Sequence, residues 1–118
     1  MPQITVDYST SLGDAFDRRG FAVALHAMVV ETAAATIGAC KCRFRAADDV
    51  VVGEAGEGHA LVHVAFALLP GRSAEVKSAL TSRTLELLRA YVKPVDGLTL
   101  HASAEARDLD ASYQRFVD

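Results

Sequence analysis

The sequence predicts an α+β fold in the order β-α-β-β-α-β, with two helices on one face of a four-stranded sheet. Three observations carry this expectation. Four stretches alternate apolar and polar residues with the period of a half-buried strand. Two stretches between them repeat apolar residues at helical period. The strand–helix–strand order then occurs twice, the second unit opening near residue 59 of 118. Residue-level similarity between the halves is weak, so it is the architecture that repeats. Half of the residues are apolar and about a quarter are charged, which suits one folded domain over residues 1–118 with a core of its own.

The first strand comes at once. Ile4, Val6 and Tyr8 alternate with Gln3, Thr5 and Asp7 directly after Met1-Pro2. A small residue in second place favours removal of Met1, which would leave Pro2 with a free secondary amine at the tip of a strand. A chain-terminal amine has an ordinary pKa of roughly 7.7–8.0, so a modest shift would suit it to general-base work at neutral pH. The plainer reading is that Pro2 opens an edge strand, where its missing N–H costs nothing.

Ser9-Thr10-Ser11 is a strand-ending and helix-capping cluster. Gly20 interrupts the next segment, so the firm helix is expected after it, with Phe21, Ala24, Leu25, Met28, Val29 and Thr32 forming one apolar stripe. From Gly38 the period becomes two. Cys40, Cys42, Phe44 and Ala46 alternate with Lys41, Arg43 and Arg45, three cations on one face that repel one another unless water or an anion lies there. Asp48 to Gly58 reads as a glycine-rich loop, with Val50, Val51 and Val52 as a short strand within it. The third strand sets Ala60, Val62, Val64, Phe66 and Leu68 against His59, Leu61, His63, Ala65 and Ala67. Pro70-Gly71-Arg72-Ser73 turns into the second helix, with Ser73 as N-cap, Glu75 in the first turn, and Val76, Leu80, Leu87, Leu88 and Tyr91 inward. Pro94, Asp96 and Gly97 end it. The last strand turns Leu98, Leu100, Ala102, Ala104 and Ala106 inward and Thr99, His101, Ser103, Glu105 and Arg107 outward, before a tail from Ala111 to Asp118.

These features also exclude function classes. A net charge of -3 gives no general attraction to nucleic acid or to anionic membrane. The chain has neither an apolar run of about 20 residues nor the order of a signal peptide, so a cytoplasmic protein is expected. Cys40 and Cys42 are too close for an unstrained disulfide, and with His59 and His63 they match no zinc spacing; buried or half-buried thiols are expected. The outward sheet face mixes Leu61, Ala65 and Ala67 with polar residues, and self-association is the natural way to cover it.

A chain of this length and order that opens Met-Pro resembles the tautomerase superfamily, and within it the 5-carboxymethyl-2-hydroxymuconate delta-isomerase family. The matching features are Pro2 at the strand start, Cys40-Lys41-Cys42-Arg43, Val62-His63, Gly71-Arg72-Ser73, and the acidic, Arg-containing run Ser103 to Asp110. The resemblance implies a homotrimer with its sheets forming a central barrel and the helices outside. It implies a proton shift on a carboxylated dienol from aromatic-acid catabolism, giving the conjugated keto isomer without metal or organic cofactor.

On that resemblance Pro2 carries the proton, Lys41 and Arg72 complete the catalytic set, and Arg43 and His63 bind substrate, although Arg43 also fits at a subunit contact and His63 as packing within the sheet. Arg72 stands at a helix start, which favours an anion, and its planar fork suits a carboxylate. One departure is Lys41, where these isomerases carry the first arginine of an Arg-x-Arg pair; lysine keeps the charge and loses the fork. That departure keeps open other activities of the superfamily, such as phenylpyruvate-type tautomerisation, decarboxylation or dehalogenation. A non-catalytic trimer that binds a small acid is the reading from outside enzymology.

Overall fold

The structure is a computed structural model that describes residues 2–118; Met1, whose removal the sequence favours, lies outside the described residues. Strands β1 (Gln3–Ser9), β2 (Lys41–Ala47), β3 (His59–Leu68) and β4 (Thr99–Asp108) form one sheet in the order β2-β1-β3-β4. β1 runs parallel to β2 and antiparallel to β3, and β3 runs parallel to β4. Each parallel pair is joined through a helix, α1 (Arg18–Ala33) or α2 (Ala74–Tyr91), as a parallel crossover requires. The predicted strand–helix–strand repeat is therefore present, its two halves meeting along β1 and β3.

The alternation sorts the faces as expected. Ile4 and Val6 of β1 and Ala60, Val62, Val64, Phe66 and Leu68 of β3 are fully buried, packed with Phe21, Leu25, Met28 and Val29 of α1 and Leu80 and Leu88 of α2. Thr84 joins this layer as a buried polar residue, its hydroxyl satisfied by the carbonyl of Leu80 in the preceding turn. Ser73 caps α2 by accepting from the Val76 N–H, with Glu75 in the first turn.

Four expectations need correction. α1 begins at Arg18, and Gly20 sits inside its first turn rather than before it. Asp17 is the N-cap, and its carboxylate folds over the Gly20 N–H so closely that any side chain at position 20 would meet Asp17 Oδ2. Val50–Val52 form no strand; Val52 makes a single bridge to Ala55. Thr10–Ala15 form a 3₁₀ segment, and Ser9 accepts from the Leu61 N–H across the sheet instead of capping a helix. The inward row of β4 is poorly covered: Ala104 and Ala106 are half-buried, while Leu100 and Ala102 are exposed. β4 is an edge strand, and Leu100 and Ala102 line an open depression with Leu85, Leu88 and Arg89 at the rim of the helix layer.

His26 carries a pH dependence. Its Nε2 is buried with no partner among the described residues, and burial lowers its pKa from 6.5. A lowered folded-state pKa means that the unfolded chain binds the proton first. Stability is thus whole above about pH 6.5 and is lost as pH falls through the folded value. His26→Leu is expected to flatten the fall of the urea midpoint between pH 7 and pH 5; an unchanged slope would show that His26 does not carry it.

Candidate active site

The site is built from the parallel pairing of β1 with β2, which starts at the first described residue. The Lys41 N–H donates to the main-chain carbonyl of Pro2 at 3.1 Å, and the register then sets Gln3 beside Lys41, Thr5 beside Arg43 and Asp7 beside Arg45. All six belong to the face away from the helices. Pro2 itself is buried, at the end of the sheet where β1 begins and β3 finishes.

The three cations of β2 are held in three different ways. Arg45 forms a two-pronged pair with Asp7, at 2.8 and 2.9 Å, and this pairing holds the Asp7 carboxyl below its usual range. Arg43 is held by neutral groups, donating to Gln3 Oε1 at 2.6 Å and to Thr5 Oγ1 at 3.4 Å. Lys41 turns its Nζ to the Ala39 carbonyl at 3.2 Å. The expected repulsion is therefore relieved by a carboxylate at one end of the strand only. Toward Pro2, Lys41 and Arg43 make no ion pair among the described residues, and that end of the face stays electropositive.

Arg72 reaches the same end of the sheet. Pro70-Gly71 turns the chain out of β3, and Gly71 at φ 123° occupies backbone space that side-chain-bearing residues rarely enter. The Arg72 guanidinium then donates from Nε to the Ala33 carbonyl at 3.2 Å and from Nη1 to the Leu69 carbonyl at 3.4 Å. It closes the C-terminal turn of α1 rather than lying over the start of α2, and its Nη2 makes no hydrogen bond among the described residues.

His63 is not brought to Pro2. It lies opposite Asp7, and five residues of strand at about 3.4 Å each separate the two by roughly 17 Å. Its ring nitrogens meet Ser103 Oγ and Glu105 Oε2, both at 2.7 Å, stitching β3 to β4. Of the residues singled out in the sequence, the fold thus gathers Pro2, Lys41, Arg43 and Arg72 at one end and leaves His63 in mid-sheet. The two thiols are free, and burial pushes Cys42 up to about 11 and raises Cys40 as well, so neither is a ready thiolate. Among the described residues no group of three or more His, Cys, Asp and Glu could hold a metal ion. No described helix is long and apolar enough to cross a membrane.

Two residues at this end were not evident from the sequence. Gln3 joins Arg43 on one side to Tyr113 on the other, its Nε2 donating to Tyr113 Oη at 3.2 Å. Gln3 reads as any polar strand position. The signal for Tyr113 is the Asp110-Ala111-Ser112 turn, whose Asp side chain caps Ser112 and sends the tail back over the sheet.

The chain resembles a solved 5-carboxymethyl-2-hydroxymuconate delta-isomerase at 13% identity and TM-score 0.81, over 100% of this chain and 89% of that one. It resembles a 5-carboxymethyl-2-hydroxymuconate isomerase from Deinococcus radiodurans R1 at 18% identity and TM-score 0.73, over 97% and 88%. A fused 4-OT wild-type symmetric trimer matches at 24% identity and TM-score 0.66, over 90% and 84%. These likenesses establish the fold. No curated protein matches significantly by sequence. The family profile for 5-carboxymethyl-2-hydroxymuconate isomerase matches residues 2–115. The chain belongs to the 5-carboxymethyl-2-hydroxymuconate isomerase family.

Proposed function

We propose that this isomerase moves a proton within a polycarboxylated enol or dienol of the muconate type, yielding the conjugated keto isomer, with the free amine of Pro2 as the base. The observation that carries the reading is the pairing of Lys41 with Pro2, which sets uncompensated cations beside the chain start. A proton shift needs one group that accepts a proton at one position of the substrate and returns it at another. Cations and burial both disfavour an ammonium at Pro2 and so favour the neutral amine that a base must be. The same cations stabilise the enolate that forms when the proton leaves. Arg72 and Arg43 suit the substrate's carboxylates, and nothing in this route calls for a metal or organic cofactor.

The working unit is a homotrimer in this reading. The polar face carries Leu61, Ala65 and Ala67 among its charged residues, and Leu61 is 37% exposed in the single chain. The fused 4-OT relative is itself a symmetric trimer. A stable monomer in sedimentation at micromolar concentration would remove this part of the reading. A cytoplasmic location is part of the same reading.

Lys41 decides the substrate. Lys41→Arg restores a planar fork, and turnover of a tricarboxylated dienol is expected to hold or rise, while a simple enol such as enol-phenylpyruvate gains nothing. Abolished activity on every enol would show that position 41 does more than hold a carboxylate. A wild-type preference for the simple enol would favour a phenylpyruvate-type tautomerase.

A further inference from the structure

We propose that the hydroxyl of Tyr113 is a substrate-contacting hydrogen-bond donor at the Pro2 end of the sheet, positioned by the side-chain amide of Gln3. The proposal deepens the reading of Pro2 as the base and names a binding group for an anionic oxygen, carboxylate or enolate, of the same substrate.

The tail is steered to this place by a series of contacts. β4 runs to Asp108, which pairs with Lys77 at 2.8 Å, and the Leu109 N–H donates to the carbonyl of Leu68 at the end of β3. Asp110 then accepts from the N–H and hydroxyl of Ser112, and the Tyr113 N–H donates to the Asp110 carbonyl at 3.0 Å. The chain is thereby reversed, and Tyr113 meets Gln3, the residue directly after Pro2.

The chemistry of the three side chains fixes which way each proton points. Arg43 has donors alone, so the atom of Gln3 that it meets at 2.6 Å must be the carbonyl oxygen. The amide nitrogen of Gln3 is then turned toward Tyr113, and since it too can do nothing but donate, the phenol oxygen is the acceptor. The Tyr113 proton must therefore point elsewhere, and it has no acceptor among the described residues. The ring is half-buried and the oxygen is held, so a fixed donor with an unused proton stands one side chain away from Arg43, across Gln3. An anionic oxygen is the partner this arrangement suits, and a hydrogen bond to a charged partner is among the stronger neutral-donor contacts.

The test uses the full chain and Tyr113→Phe, which keeps the ring and deletes the proton. With Met1 removed, the variant is expected to raise KM for a tricarboxylated dienol about tenfold with kcat within about twofold. Calorimetry with a saturated, unreactive tricarboxylate should show the same tenfold loss of affinity. That loss should persist in chain that retains Met1, so the binding result does not depend on Pro2 acting as base. Gln3→Met should weaken binding in the wild-type background and cost less on top of Tyr113→Phe, the remainder being what it loses by releasing Arg43. Unchanged affinity and KM in Tyr113→Phe overturn the proposal. So does a lowered melting temperature with unchanged affinity, which would make Tyr113 a structural tie for the tail.

Discussion

Protein that retains Met1 is expected to isomerise its enol at least about a hundredfold more slowly than the same chain beginning at Pro2, the usual scale of a lost general base. With Met1 attached, the Pro2 nitrogen is an amide. Its lone pair is delocalised into the carbonyl and accepts no proton near neutrality, however well Lys41 and Arg43 are placed. The Lys41 N–H bond uses the Pro2 carbonyl, which is present whether or not Met1 is attached. Preparing both forms, confirming each by mass, and following loss of the enol decides the matter. Equal rates would rule out Pro2 and leave the cations as a binding site without a base of this kind.

The fold was legible because burial obeys period. Ile4 and Val6, or Val62, Val64 and Phe66, can face the helices in one register alone, and a slip by one residue would bury Asp7, His63 and their neighbours. The cationic half of the site was legible for the same reason: Lys41, Arg43 and Arg45 could not avoid sharing a face. What escaped depends on contacts between residues distant in sequence. Arg45 is neutralised by Asp7 and Arg43 is not, a difference set by register between β1 and β2 that neither strand displays alone. Gly20 looked like a helix breaker because its cost to a helix is visible in sequence, whereas the Asp17 carboxylate that needs the space is visible only in three dimensions. The apolar alternation of β4 promised burial, but alternation says which side faces the helices and not whether a helix reaches that far. Tyr113 lay in a segment with no periodicity, and its place is set by one Asp-x-Ser turn.

Arg72→Ala is expected to lower both stability and activity, and the two losses can be told apart. α1 ends without a glycine: Ala34 adopts a left-handed conformation at φ 56°, and the last-turn carbonyl of Ala33 relies on Arg72 Nε. Removing the guanidinium withdraws charge-assisted bonds from Ala33 and Leu69, a loss of about 1–3 kcal/mol, or roughly 4–8 °C in Tm for each kcal/mol. Arg72→Lys keeps the charge but cannot span both carbonyls, so it should recover part of the activity and little of the stability. If the uncommitted Nη2 also holds a substrate carboxylate, kcat/KM of Arg72→Ala at 25 °C should fall by about 10–100-fold, well below its unfolding transition where the folded fraction is unchanged. His63→Ala is the comparison. It loses the Ser103 and Glu105 contacts in mid-sheet, so its Tm should drop with much less effect on kcat/KM. An Arg72→Ala protein that melts early yet turns over normally at 25 °C would make Arg72 a tether for the end of α1 and leave the substrate's carboxylates to Lys41, Arg43 and Tyr113.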